Sequence, residues 1–178
     1  MKFRILPLIF VIFASACVSQ QAQSAVTTTA ENFEENVGLE KGFVAPSFTL
    51  TEVSGKQFSR EDLKGKPVMI FFTTTWCVPC QIGAQNLAKY DLETGDDAFN
   101  VVIVFVDMRE TDNQLKDWKN KFARGDWLIT KDNGMASVYK VQYLDTKYVL
   151  DKESIIRWFN LQPLEYQKSK DVLGPLLV

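Results

Sequence analysis

The chain contains no histidine. That absence removes Ser–His and Cys–His hydrolases, imidazole-ligated zinc and haem sites, and any imidazole acid or base from the functions open to it. Cysteine is nearly as scarce, with Cys17, Cys77 and Cys80 the three in 178 residues. No basic patch interleaved with aromatics appears and the net charge is −2, so nothing points to a nucleic-acid partner. The apolar run Ile5–Phe13 is too short to span a bilayer comfortably. No internal repeat or low-complexity tract is present.

What is there is an ordinary one-domain composition, 46% hydrophobic and 24% charged. Lys2 and Arg4 precede that apolar run, and Ala14-Ser15-Ala16 follow it as small residues before Cys17. This is the anatomy of a secretory signal over residues 1–16. Small residues before a cysteine, with polar Ser19-Gln20-Gln21 after it, resemble a prokaryotic lipobox, although Ala14 stands where that motif usually has Leu. The expectation is export to the periplasm or cell surface, with lipidation of Cys17 as the anchor. Ordinary cleavage at Ala16 or nearer Ala25 is the alternative. Residues 17–42 are polar and aperiodic at first and read as a flexible tether; the ordered domain is expected over 43–178. Without Lys2 and Arg4 the chain carries 18 basic and 22 acidic residues, net −4.

In an exported protein cysteines usually act as staples, and a staple gains by closing a long loop. A bridge between Cys77 and Cys80 encloses almost nothing. Their use is therefore chemical. The segment Trp76-Cys77-Val78-Pro79-Cys80 follows the apolar run Val68–Phe72 and precedes a helical periodicity. With Cys80 in the first helical turn, both sulfurs share one face, and Cys77 sits at the helix N-terminus, where free N–H groups favour a thiolate. An attacking thiolate and a neighbouring thiol are the minimum parts of a thiol–disulfide exchanger.

The rest of the chain reads as α/β. Phe48–Thr51 and Lys56–Phe58 flank a Ser54-Gly55 turn as a hairpin, and Ser59 caps a short turn that Gly65 closes. Val68–Phe72 and Val101–Val106 are continuous apolar runs, the mark of strands covered on both faces. Ile82, Leu87 and Tyr90 suggest a helix that stops by Gly95; Leu115, Trp118 and Phe122 mark another, capped by Thr111 or Asp112. A short segment at Trp127–Ile129 leads to a helix through Tyr139. Lys147–Leu150 and Ile155–Phe159 form a second hairpin, and a last helix follows Pro163. Parallel pairs plus a terminal hairpin make a mixed sheet with helices on both faces.

These motifs, in this order, resemble the thioredoxin-fold superfamily, specifically the exported TlpA/ResA-like redoxins, over residues 43–178. Ala45–Leu50, Gly55-Lys56 and Asp62–Pro67 look like that family's N-terminal hairpin; Phe72–Cys80 look like its active-site segment; Tyr139–Val141 and Tyr148–Glu153 look like the approach to its last strands. The resemblance implies that Cys77 is the nucleophile and Cys80 the resolving thiol, that Trp76 packs beside the disulfide, and that Val78 and Pro79 tune the loop and its potential. It implies no cofactor beyond the Cys77–Cys80 pair. The implied partners are exported protein thiols or disulfides, such as apocytochrome c or copper-site cysteines, and an upstream dithiol donor.

Three positions depart from the family. Asp145 stands where a cis-proline usually faces the disulfide; since a cis bond before a non-proline costs about 2.5–4 kcal/mol, a trans or remodelled loop is expected. Gly83 and Gln85 stand where many relatives carry Glu and Pro. Phe71 stands where cytoplasmic thioredoxins bury an Asp. Asp145 is thus either a substitute proton relay beside the disulfide or a solvated loop residue. Asp107 and Arg109, past the second buried strand, are either substrate contacts or loop caps. Three rival functions stay open. A Sco-like metal-delivery module would use two thiolates but lacks its histidine. A peroxiredoxin would use Thr74 three before Cys77 but has Ile70 where that family wants Pro. A non-catalytic interaction domain would have kept its cysteines after losing the substrate loop.

Overall fold

A computed structural model of the chain describes residues 36–95 and 97–177. The first 16 residues, Cys17 and the tether up to residue 35 lie outside them. Residues 36–42, assigned above to the tether, are bonded into the domain: Gly38 N donates to Val44 O at 3.0 Å and Gly42 N to Ile156 O at 2.8 Å. Backbone hydrogen bonds hold this segment, so no side-chain periodicity announced it.

Seven strands and four helices follow: β1 (Thr49–Thr51), β2 (Gln57–Ser59), β3 (Val68–Thr73), α1 (Val78–Thr94), β4 (Asn100–Phe105), α2 (Asp112–Phe122), β5 (Leu128–Lys131), α3 (Met135–Val138), β6 (Thr146–Leu150), β7 (Ile156–Asn160) and α4 (Tyr166–Leu173). β1 and β2 pair as a separate antiparallel hairpin. The main sheet has the order β5-β4-β3-β6-β7, with β3, β4 and β5 parallel and β6 and β7 antiparallel. The apolar run in β3 is buried at every position because the sheet is covered on both faces.

Alternation along the strands divides the core. Met69, Phe71, Ile103, Phe105 and Val149 face α1, α2 and α4, in one packed cluster with Cys77 and Cys80. Ile70, Phe72, Val104, Tyr148 and Leu150 face the β1–β2 hairpin and α3 through Leu50, Phe58, Met135 and Tyr139. The Thr111 cap is a full capping box: its side chain accepts from Gln114 N while the Gln114 side chain accepts from Thr111 N.

The face that α1 buries comprises Cys80, Gly83, Ala84, Leu87, Tyr90 and Asp91. Ile82, read above as part of that face, is 53% exposed. The small residues Gly83 and Ala84 let the helix lie close to the sheet, and Ile82 is turned outward with Val78.

Candidate active site

β3 ends at Thr73, and Thr74–Trp76 carry the chain out to Cys77, the N-cap of α1. Cys77 N donates to Thr74 O at 3.3 Å, and the Gln81 side chain donates to Thr75 O at 2.7 Å, tying the segment to the first helical turn. Pro79 occupies that turn, where a missing N–H costs nothing. Cys77 and Cys80 form a disulfide with Cα atoms 5.3 Å apart. Cys77 is 7% exposed and Cys80 fully buried, so only one sulfur is reachable from solvent. Around it Trp76, Val78 and Ile82 form an apolar rim, with Val78 and Pro79 on the surface.

Trp76 does not pack flat against the core; it is 60% exposed, and its Nε1 donates to Asp107 Oδ2 at 3.4 Å. Arg109 holds that carboxylate through its backbone N at 3.0 Å, Nε at 2.9 Å and Nη2 at 2.8 Å. These bonds keep the Asp107 carboxyl well below the usual carboxylate range. Asp107 and Arg109 thus cap their own loop, and Asp107 also braces the tryptophan.

Glu110, next in that loop, was not singled out by sequence. It is buried; its Oε1 accepts from Thr75 N at 2.5 Å, and its Oε2 has no hydrogen-bond partner among the described residues. A glutamate just before a helix cap ordinarily faces water, which left no signal of its inward turn. Glu110→Ala leaves the Thr75 N–H unpaired beside the active-site segment and should cost about 1–3 kcal/mol in urea denaturation. A loss near zero would show that the bond contributes nothing to the fold.

In the loop before β6 the Leu144–Asp145 peptide is trans, as expected, and Asp145 adopts φ +68°. Its backbone N donates to Phe72 O at 3.2 Å, fastening the loop to the end of β3. The solvated alternative does not hold: Asp145 is 5% exposed. Its partner is Lys147, fully buried, whose Nζ donates to Asp145 Oδ1 at 2.5 Å and also to Asp145 O. The same Nζ lies 4.7 Å from the centroid of the Phe71 ring, the residue opposite Lys147 in the β3–β6 register. Burial pushes the Asp145 carboxyl up and the Lys147 ammonium down, each partly opposed by the other. Lys147 was passed over in the sequence as a strand's first residue. A lysine beside Tyr148-Val149-Leu150 in a strand covered on both faces was the available clue, since such a charge needs a buried partner.

Gly83, where relatives carry Glu, has no room for one. A Cβ there would stand 3.3 Å from Leu164 Cβ and 3.7 Å from Phe71 Cε1. Gly83→Glu should therefore lower stability by about 1–3 kcal/mol from overpacking alone. Thermal unfolding against Gly83→Ala measures this, and an unchanged midpoint would contradict the packing described.

Among the described residues no group of three or more Cys, Asp or Glu could hold a metal ion, and no helix is long and apolar enough to cross a membrane.

Residues 42–159 match the AhpC/TSA family model. The chain is 32% identical over 126 residues to the thiol-disulfide oxidoreductase ResA of Bacillus thuringiensis (strain Al Hakam), covering 68% of this chain and 69% of that one. A solved thiol:disulfide interchange protein of the thioredoxin family from Chlorobium tepidum TLS superposes with a TM-score of 0.67 at 20% identity, over 78% of this chain and 99% of that one. The pneumococcal exposed lipoprotein thioredoxin from Streptococcus pneumoniae superposes with a TM-score of 0.61 at 24% identity, over 74% of this chain and 100% of that one.

Proposed function

The chain belongs to the AhpC/TSA family and is a thioredoxin-fold thiol–disulfide oxidoreductase, and on that premise we propose that it is exported and exchanges disulfides with partner proteins through Cys77. One observation carries this reading: the reachable sulfur of the pair is the one at the helix N-cap, while the other is sealed. The free N–H groups and dipole of α1 favour a thiolate at Cys77 once the pair is reduced.

Cys77 attacks a partner's disulfide and forms a mixed disulfide, releasing one partner thiolate. Cys80 then attacks Cys77 Sγ, closes the Cys77–Cys80 bond and releases the second. Two electrons pass from the pair to the partner, and the reverse sequence oxidises a partner dithiol. No other cofactor enters, because the two sulfurs carry the electrons. The rim of Trp76, Val78 and Ile82, with Pro79, is the surface on which a partner segment docks. In this reading Asp145, buried on the loop before β6, accepts the proton that buried Cys80 must shed.

Residues 1–16 act as the export signal in this reading, Cys17 as the lipid-bearing residue and the stretch to residue 35 as the tether. The presence of a lipoprotein among the structural neighbours supports the anchor. Expressing the full chain with Cys80→Ser in a bacterium and trapping its covalent adducts tests the whole proposal. Exported proteins released by dithiothreitol are the expected catch, from membranes for wild-type Cys17 and from the soluble fraction for Cys17→Ser. Adducts confined to cytoplasmic proteins would overturn export.

A further inference from the structure

We infer that Lys147 is a positioning residue for the exchange reaction, holding the Asp145 carboxylate in place as the proton acceptor for Cys80. The inference rests on the reading of Asp145 given above and adds the residue that makes it workable.

The placement is specific. Phe71 packs in one cluster with Cys77 and Cys80, and its ring edge lies against Gly83, three residues beyond Cys80. The Lys147 ammonium sits over that ring from the adjacent strand. Leu144, next to Asp145, packs on the same cluster. The Lys147–Asp145 pair therefore lies on the dithiol face of the sheet and at the dithiol end of β3. Of the two carboxylate oxygens, Oδ1 is taken by Lys147, while Oδ2 is buried and has no partner among the described residues. Lys147 makes a second bond to the Asp145 carbonyl, fixing the backbone that carries the carboxyl.

The resolving step needs this arrangement. Cys80 is fully buried, so its S–H proton has no direct path to water. As Cys80 Sγ bonds to Cys77 Sγ, the partner sulfur leaves with the electron pair of the broken S–S bond, and the Cys80 proton passes to Asp145 Oδ2. The partner thiolate is protonated from solvent. An isolated carboxyl this buried would be held neutral by desolvation and could accept nothing. The Lys147 ammonium opposes that effect through its charge and its bond to Oδ1. The buried ammonium favours the carboxylate and so partly offsets the cost of burial when the carboxyl gives its proton up again.

Among the described residues no other ion competes for these groups. β3 has no ionisable side chain, and the first two turns of α1 carry none besides Cys80. On β7, Asn160 faces Lys147, and Arg157 is bound to Asp151. In the loop after β4, Asp107 is held by Arg109, and Glu110 is bonded to Thr75. Before α4, Glu165 is exposed.

Ellman's reagent, added to the reduced full chain carrying Cys17→Ser, separates the two steps. The first nitrothiobenzoate released reports attack by Cys77, and the second reports resolution by Cys80. In Lys147→Met the second release should slow at least about tenfold at pH 7, with its pH midpoint moved upward, and the first should stay within about twofold of wild type. Asp145→Asn should slow the second release as much, and Asp145→Asn/Lys147→Met should match Asp145→Asn. A slow Asp145→Asn beside a Lys147→Met of wild-type rate and profile would overturn the role of Lys147 and leave Asp145 standing. Wild-type resolution in Asp145→Asn would remove the Asp145 reading itself. Should Lys147→Met fail to fold, a pH profile in the double variant different from that of Asp145→Asn would overturn the inference equally.

Discussion

Asp145→Pro, which restores the residue the family usually carries, is expected to destabilise this protein by at least about 3–5 kcal/mol. The largest part comes from the Lys147 ammonium, fully buried and left without its counter-charge, a loss of that size when one member of a buried pair is removed. Proline also fixes φ near −65°, whereas Asp145 stands at +68°. The Asp145 N–H bond to Phe72 O disappears with the ring closure. Against a typical total of about 5–15 kcal/mol, this loss brings the fold close to its limit. Adding Lys147→Leu to Asp145→Pro should recover most of the charge contribution, because removing both ions leaves nothing to neutralise. Urea denaturation of the oxidised proteins measures both. An Asp145→Pro variant as stable as wild type would show that the pair is not buried as described.

Loss of Cys77 is expected to have the largest effect on activity. Cys77→Ser should reduce exchange with a protein disulfide by at least about a thousandfold, since no other thiol among the described residues is reachable and the attacking group of a covalent catalyst is lost. Cys80→Ser should separate the steps. Its Cys77 still attacks, but the mixed disulfide accumulates because nothing displaces the partner. The oxidised wild type and both serine variants should keep similar folds, since the bridge spans three residues and constrains little of the unfolded chain. Turnover of a disulfide-bonded protein substrate, followed with non-reducing gels, distinguishes the two variants. Comparable residual turnover in both would contradict the division of labour.

The cysteines and the fold around them were legible for physical reasons. Continuous runs such as Val68–Phe72 and Val101–Val106 have one economical home, a strand covered on both faces. The capping box at Thr111 is a local rule written in adjacent residues. What escaped depends on contacts distant in sequence. Ile82 fits a helical period as well as its neighbours, but the close approach at Gly83 decides which side is buried. Glu110 turns inward only because Thr75, 35 residues earlier, offers it an N–H. Lys147 is tolerable in the core only because Asp145, in a left-handed conformation, brings its carboxyl within 2.5 Å. The missing family carboxylates at Phe71 and Gly83 are thus accompanied by a different buried one, carried on the loop before β6 and matched by its own cation.

Alkylation of the reduced Cys17→Ser protein as a function of pH, with the modified cysteine identified by mass spectrometry, tests the division between the two sulfurs most directly. Cys77 should be modified rapidly, with a midpoint below the ordinary thiol value of about 8.5, and Cys80 should stay protected until the protein is unfolded. Equal or faster modification of Cys80 would contradict that division.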